Sequence, residues 1–152
     1  MIQVRRAESQ DDLRACLRMR WTVFVEEQGV RPSEELDAHD AHHHGALHAH
    51  ENAVHALASL DGVPCGAARF IFESPGVAKI QRMAVIDDVR GRGVGRALLA
   101  FLEEEARRRG AVRLTLWAQT HARQFYERAG YAAEGPEFDD AGIPHVSMSK
   151  PA

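Results

Sequence analysis

The sequence predicts an α/β (α+β) fold, because segments with the two-residue period of strands and segments with the helical period both occur along it. Three features carry this prediction. Residues 54–86 alternate in hydrophobicity between two turn signals, as in an antiparallel meander of three strands. A glycine-rich turn at 87–95 then opens a strongly amphipathic helix, and a hairpin follows near the end. With 152 residues, of which 45% are hydrophobic, residues 1–152 are expected to form one domain.

The first half of the chain gives separate signals for each of its elements. Residues 2–6 alternate as a short strand. Ser9, followed by two aspartates, is a suitable N-cap for a first helix that runs to about Phe24. A proline break precedes a short helix at 31–36. Residues 37–53 are crowded with histidines and show no period, which predicts a His-rich loop.

The second half contains most of the predicted sheet. Its predicted strands are 54–60, 63–72, 77–86, 112–118, 131–138 and 143–148. Val94 lies at the start of the most regular helix, in which three glutamates each stand four residues before an arginine, the favourable order for ion pairs. Gly110 ends this helix, and a short helix is predicted from His121 to Ala129.

Composition narrows the classes of function. The net charge of −3 argues against a general nucleic-acid binder, which normally carries a basic excess. The two cysteines form no Cys-x-x-Cys pair and no disulfide framework. The sequence shows neither a long apolar run nor the apolar stretch of a signal peptide. We therefore expect a cytoplasmic protein with no nucleic-acid partner and no membrane partner.

The glycine-rich turn is the strongest functional signal that the residues themselves give. No Lys-Ser/Thr pair follows Gly95, which excludes a P-loop, and Arg96 occupies the sixth place counted from Gly91, which excludes a dinucleotide fingerprint. The remaining pattern is Arg90-x-x-Gly93-x-Gly95. Its glycines allow close approach of a ligand, and the free N–H groups of the following helical turn favour a pyrophosphate. Taken alone, the pattern is also compatible with a tight turn that carries solvated arginines.

Four segments carry a resemblance to a known family. Residues 80–99 resemble the core motif of the GNAT superfamily of acyl-CoA N-acyltransferases, and 125–131 are similar to its second signature. Residues 20–28 and 140–146 resemble the ElaA-like branch of that superfamily. The resemblance implies the GNAT fold, a mixed and mostly antiparallel central sheet of six to seven strands with helices on both faces. It also implies that the strands at 77–86 and 112–118 splay apart at the cofactor site.

The resemblance assigns a cofactor site to numbered residues. The strand before the glycine turn is implied to pair its backbone with the pantetheine arm, and the amides of the turn to hold the pyrophosphate. Gln119 is implied to contact pantetheine or substrate, although a solvent-facing cap is an alternative. The implied cofactor-binding residues are Met83, Ala84, Val85, Arg90, Gly91, Arg92, Gly93, Val94, Gly95, Arg96 and Gln119.

Catalytic roles follow from the same resemblance. The position of Tyr126 usually supplies the leaving-group proton, with aromatic packing as the alternative. The N–H of Val85 is the natural oxyanion donor. Glu26 and His145 are preferred as the base, ahead of other acids such as Glu27 and Glu137, because both lie in the branch-specific segments. A surface carboxylate or a core histidine remains the alternative for each.

The predicted function is transfer of an acetyl group from acetyl-CoA, as co-substrate, to a primary amine of a small molecule or peptide in a ternary complex. No metal is expected to be required, and a homodimer is among the expected assemblies because superfamily members often dimerise. Two alternatives stay open. One is a non-catalytic acyl-CoA-binding or sensor module, and the other is a metal-binding protein that uses the histidines between His39 and His55.

Overall fold

The computed structural model describes residues 1–35, 42–43, 46–47 and 53–152. Its helices are α1 (Gln10–Arg20), a π-helical segment (Trp21–Glu27), α2 (Pro32–Glu35), α3 (Val94–Arg108) and α4 (Arg123–Arg128), with short 3-10 turns at Asp87–Val89 and Thr120–Ala122. Its strands are β1 (Ile2–Arg6), β2 (His42–His43), β3 (Ala46–Leu47), β4 (Ala53–Leu60), β5 (Val63–Ser74), β6 (Val77–Val85), β7 (Arg113–Gln119), β8 (Ala132–Asp140) and β9 (Ile143–Pro151). None of the helices among these residues has the length and apolar character that crossing a bilayer requires.

Seven of these strands form one mixed sheet in the order β1-β4-β5-β6-β7-β9-β8. Only β6 and β7 run parallel, and every other neighbouring pair in this sheet is antiparallel. This confirms the predicted sheet, including its three-stranded meander. The strands β2 and β3 pair with each other inside the segment predicted as a loop. The other histidines of that segment, and with them the metal site considered there, lie outside the described residues.

Helices cover both faces of the sheet, as predicted. Leu57 and Ala67 of the central strands pack in one cluster with Leu13 and Cys16 of α1. Their neighbours along the same strands point the other way and pack against α3 in a larger cluster. Gly66 allows this close approach, because a Cβ at that position would lie 3.1 Å from side chains of α3. The sheet is therefore held between α1 and α3.

The first helix differs from its prediction in its last part. The α-helix ends at Arg20 and continues as a π-helical segment, in which the N–H of Gln28 bonds the carbonyl of Val23 at 3.0 Å. The wider turns change which side chains face inward. Val23 is buried, whereas Trp21 is 39% exposed. A prediction based on 3.6 residues per turn therefore assigns the wrong face to part of this segment.

A bulge in β6 marks the point where two strands separate. Arg82 and Met83 together oppose one residue of β5, and Arg82 has a φ of 56°. The parallel pairing of β6 with β7 runs from Val77 to Ile80 and stops there. The predicted splay between these two strands is confirmed, and beyond Ile80 this edge of β6 has no neighbouring strand within the described part of the chain.

A buried ion pair fastens the last strand to α3. The carboxylate of Glu103 accepts hydrogen bonds from the hydroxyl of Tyr131 at 2.8 Å and from Lys150 at 2.7 Å. We expect Lys150→Met to destabilise the protein by about 3 kcal/mol, because a buried carboxylate loses its cation. Urea unfolding measures this. Arg123→Met, which removes only an exposed pair with Glu127, should cost less than about 0.5 kcal/mol, and equal losses would contradict the prediction.

Candidate active site

The gap between β6 and β7 opens into a cleft of about 1130 Å³. Besides β6 and β7, the cleft is lined by residues of the π-helical segment, α2, α4 and the β8–β9 turn. Predicted site residues that line it are Met83, Val85, Arg90, Gln119, Tyr126 and His145. The structure thus brings together residues that are far apart in the sequence.

The backbone of β6 presents hydrogen-bonding groups to this gap. The N–H of Ile86 bonds the carbonyl of Cys65 on β5 at 3.0 Å. Because successive N–H groups of a strand point to opposite sides, the N–H groups of Val85 and Met83 face the gap. The carbonyl of Ala84 lies against Gly66 of β5, and its methyl is fully buried. Of the three backbone residues predicted to bind the cofactor, Ala84 therefore faces β5 and the other two face the cleft.

The glycine turn leaves the start of α3 open. Gly91 and Gly93 have φ values of 81° and 92°, which favour glycine strongly. No side chain of the described residues caps this helix end. The side chains of Arg92 and Arg96 are exposed, and neither forms an ion pair within the described part of the chain. The first helical turn therefore offers free N–H groups and two available positive charges to an anion.

Arg90, in contrast, is already paired. Its guanidinium makes two hydrogen bonds of 2.7 Å to the carboxylate of Glu27 and one of 2.9 Å to the carbonyl of Val85. The hydrogen bonds from Arg90 hold the pKa of Glu27 below its usual range. The pair ties the π-helical segment to the end of β6, so Arg90 fixes the cleft wall rather than adding free charge to the turn.

The Glu27 pair predicts a pH dependence of stability. Since the folded pKa of Glu27 lies below the ordinary value of 4.5, its stabilisation is present above that pH and is lost as the pH falls through the folded pKa. Glu27→Gln should therefore lower stability at pH 7 by at most about 1 kcal/mol, given that the pair is partly exposed, and by less below pH 4.5. Thermal melts between pH 3 and 7 measure this. Glu26→Gln is the matched control, and the same pH-dependent loss in it would contradict the assignment.

Tyr126 lies in the wall of the cleft with its ring packed in an aromatic group. It is 8% exposed and stands edge-to-face with Phe125 at 4.9 Å and with Tyr131 at 6.1 Å. Its hydroxyl has no hydrogen-bond partner among the described residues, yet it is not sealed from the cleft. Burial raises the pKa of Tyr126 to about 12. The residue therefore both packs and carries a protonated hydroxyl at neutral pH.

His145 is held in one tautomer by its own strand. Its Nδ1 lies 2.7 Å from the carbonyl of Ile143, and a carbonyl only accepts, so Nδ1 carries the proton. The ring is 7% exposed, lines the cleft and stacks on Phe138 at 6.0 Å. With Nδ1 bonded in this way, Nε2 is the ring nitrogen that can accept a proton.

The remaining predicted residues are placed differently. Glu26 and Glu137 are exposed and do not line the cleft. Gln119 does line the cleft, and its side-chain amide is hydrogen-bonded to Gln28 at 2.9 Å and to His121 at 2.6 Å. It joins the end of β7 to the end of the π-helical segment. Gln119 is therefore a bridge across the cleft rather than a solvent-facing cap.

Among the cleft residues that the sequence analysis did not identify, two form a contact with functional potential. Lys79 of β6 and Trp117 of β7 line the cleft, and the ammonium nitrogen of Lys79 lies 3.3 Å from the centroid of the indole. The sequence feature that could have identified Lys79 is the presence of a lysine within a strand that is predicted to be buried. No cluster of His, Cys, Asp and Glu that could hold a metal ion occurs among the described residues.

Comparisons with known proteins agree with this geometry. Residues 25–152 match the model of a family described as "Acetyltransferase (GNAT) domain". An uncharacterized N-acetyltransferase of Bacillus subtilis, YjcF, is 36% identical over 95% of this chain and 96% of its own. Escherichia coli ElaA superposes with a TM-score of 0.81 at 25% identity, covering 99% of both chains. An acyl-CoA N-acyltransferase from Pseudomonas aeruginosa gives 0.80 at 25% identity, also over 99% of both.

Proposed function

The chain belongs to the GNAT acetyltransferase domain family, and from this premise we propose that it transfers an acetyl group from acetyl-CoA to a primary amine by direct attack in a ternary complex. One observation carries the proposal furthest. The edge of β6 that lines the cleft leads through Arg90, the last cleft residue of this segment, into the glycine turn and the open end of α3, where an extended thioester arm and its diphosphate can bind one after the other. The acceptor is a small molecule or a peptide.

Three groups in the cleft act as oxyanion donor, base and acid in the reaction. The N–H of Val85 stabilises the oxyanion that forms when the amine attacks the thioester carbonyl. His145 Nε2 accepts the proton that the amine loses as the new C–N bond forms. When the C–S bond breaks, the hydroxyl of Tyr126 protonates the departing sulfur, and its raised pKa of about 12 keeps that proton available at neutral pH. Glu26 is not included, because it is exposed and lies outside the cleft lining.

The diphosphate is assigned to the glycine turn. The N–H groups from Gly91 to Arg96 supply the donors, and the exposed side chains of Arg92 and Arg96 supply the charge. Met83 offers a backbone donor to the pantetheine arm, while the N–H of Val85 is assigned to the oxyanion. Ala84 takes no part in this arrangement, since its backbone faces β5.

Calorimetric titration with coenzyme A, followed by an acceptor screen with thiol detection, tests the proposal. We expect saturable coenzyme A binding and acceptor-dependent release of free thiol with at least one of polyamines, amino acids, aminoglycosides or peptide N-termini. Binding without turnover for every acceptor would favour a non-catalytic acyl-CoA sensor instead. Absence of coenzyme A binding would contradict the proposed function altogether.

A further inference from the structure

Lys79 occupies an unusual position in the cleft. Its neighbours Ala78 and Ile80 pack in the cluster beneath α3, so its own side chain points to the opposite face of the sheet. It pairs with Thr115 of β7, one residue before the parallel pairing ends. The ammonium group therefore lies where the two strands begin to separate, on the face that opens into the cleft.

An aromatic shelf fixes the ammonium group in place. Lys79 Nζ lies 3.3 Å from the centroid of the Trp117 ring, a short cation–π contact. Trp117 stands edge-to-face with Phe138 at 5.1 Å, and Phe138 stacks on His145. The shelf formed by Trp117, Phe138 and His145 thus joins Lys79 to the residue that we assign as the base.

Among the residues that the structure describes, no carboxylate contacts the ammonium group of Lys79. Within the described residues its Nζ makes neither a hydrogen bond nor an ion pair, and it is not sealed from solvent. Burial lowers the pKa of Lys79, and the more distant carboxylates of Glu73 and Asp140 oppose this only in part. The chain's other lysine, Lys150, is by contrast bonded to Glu103 and to a main-chain carbonyl. The N–H groups of Lys79 that do not face the indole are therefore available to a ligand.

We propose that Lys79, held on Trp117, binds an anionic oxygen group, a carboxylate or a phosphate, of the acceptor substrate, so that the acceptor is an amine that carries an anion. This rests on the proposed function, since it names the substrate class of the same cleft. An amine without an anion would leave a half-buried ammonium group unpaired, which disfavours its binding.

The register of the strands sets the length of such an acceptor. His145 pairs with Gln119, which lies two residues beyond Trp117 on β7. Two residues of a strand span roughly 7 Å along its axis, so we expect the reacting amine and the anion to be at least about that far apart. That spacing exceeds the reach of an α-amino acid from its own amine to its carboxylate. It is close to the length of 5-aminopentanoate or a dipeptide.

Fluorescence of Trp117 tests the assignment without any turnover. The protein has two tryptophans, so the variant Trp21→Phe leaves Trp117 as the sole indole reporter. In that background the probes are 5-aminopentanoate, 4-aminobutylphosphonate and pentylamine, which differ mainly in the distal group. We expect a saturable change in emission, with at least one anionic probe binding about tenfold more tightly than pentylamine, the strength of a charge-assisted hydrogen bond. The tighter of the two anionic probes identifies the oxygen group.

Matched variants separate charge recognition from packing. Lys79→Met should bring the affinity of the anionic probe to that of pentylamine, while Lys79→Arg should retain part of the preference. Arg14→Met removes one positive charge from the exposed face of α1 and should behave as the parent. The proposal is overturned if no anionic probe binds more tightly than pentylamine, or if the preference survives in Lys79→Met. Because these titrations need no catalysis, their outcome is independent of whether coenzyme A binding and acetyl transfer are found.

Discussion

Replacing Tyr126 with Phe is expected to reduce kcat by about 10² to 10⁴-fold, the range measured for loss of a positioned acid or base. The physical reason is that the departing thiolate loses its proton donor, while the packing of the ring is kept. Because burial holds the pKa of Tyr126 near 12, the hydroxyl is protonated across the neutral range. The loss should therefore be nearly constant between pH 6 and 9. Steady-state kinetics with the best acceptor of the screen measure it.

Tyr131 provides a matched control for this variant. It is also buried, but its hydroxyl donates to Glu103 and does not line the cleft. Tyr131→Phe should lower stability and leave kcat nearly unchanged, whereas Tyr126→Phe should leave the affinity for acetyl-CoA within about twofold. A normal turnover in Tyr126→Phe would show that the tyrosine only packs, which was the alternative interpretation of the sequence.

Most of the fold could be predicted because its signals are local. Alternating hydrophobicity, turn glycines and the amphipathic period of one helix are each confined to a short run of consecutive residues. The splay between β6 and β7 was predicted only through the family resemblance. Its local cause, a bulge at Arg82 with φ of 56°, had no such signal, because arginine shows no preference for that conformation.

The site was predicted less completely, for two physical reasons. The π-helical segment adds residues to each turn, so the helical period cannot decide whether Glu26 or Glu27 faces the cleft, and the structure places Glu27 there. The other reason is that decisive contacts join distant positions. Arg90 meets Glu27 across 63 residues, and Lys79 meets Trp117 on another strand. The sequence motif identifies Arg90 as a charge near the turn but cannot show that a carboxylate already neutralises it.

Replacing Val85 with proline should lower kcat/KM by about 10² to 10³-fold, as for loss of one oxyanion donor. Proline removes the N–H group, which faces the gap rather than β5, and it also replaces the side chain and restricts φ. No strand of the described residues pairs with this edge of β6, which is where a sheet tolerates proline. We therefore expect the melting temperature of Val85→Pro to stay near that of the parent, with Val85→Ala as the control for the lost side chain.

At the neighbouring residue, Ala84, we expect proline to lower stability strongly, and comparing the two variants tests the orientation of the strand. Ala84 faces β5 and is fully buried, so Ala84→Pro should break a ladder hydrogen bond and cost about 3 kcal/mol or more. If Val85→Pro were destabilised as much as Ala84→Pro, the N–H of Val85 would point to β5 and could not reach a thioester. If Val85→Pro folded normally and kept its turnover, another donor along the gap would stabilise the oxyanion. Of the residues Met83, Ala84 and Val85, Met83 is the other one whose N–H group faces the gap.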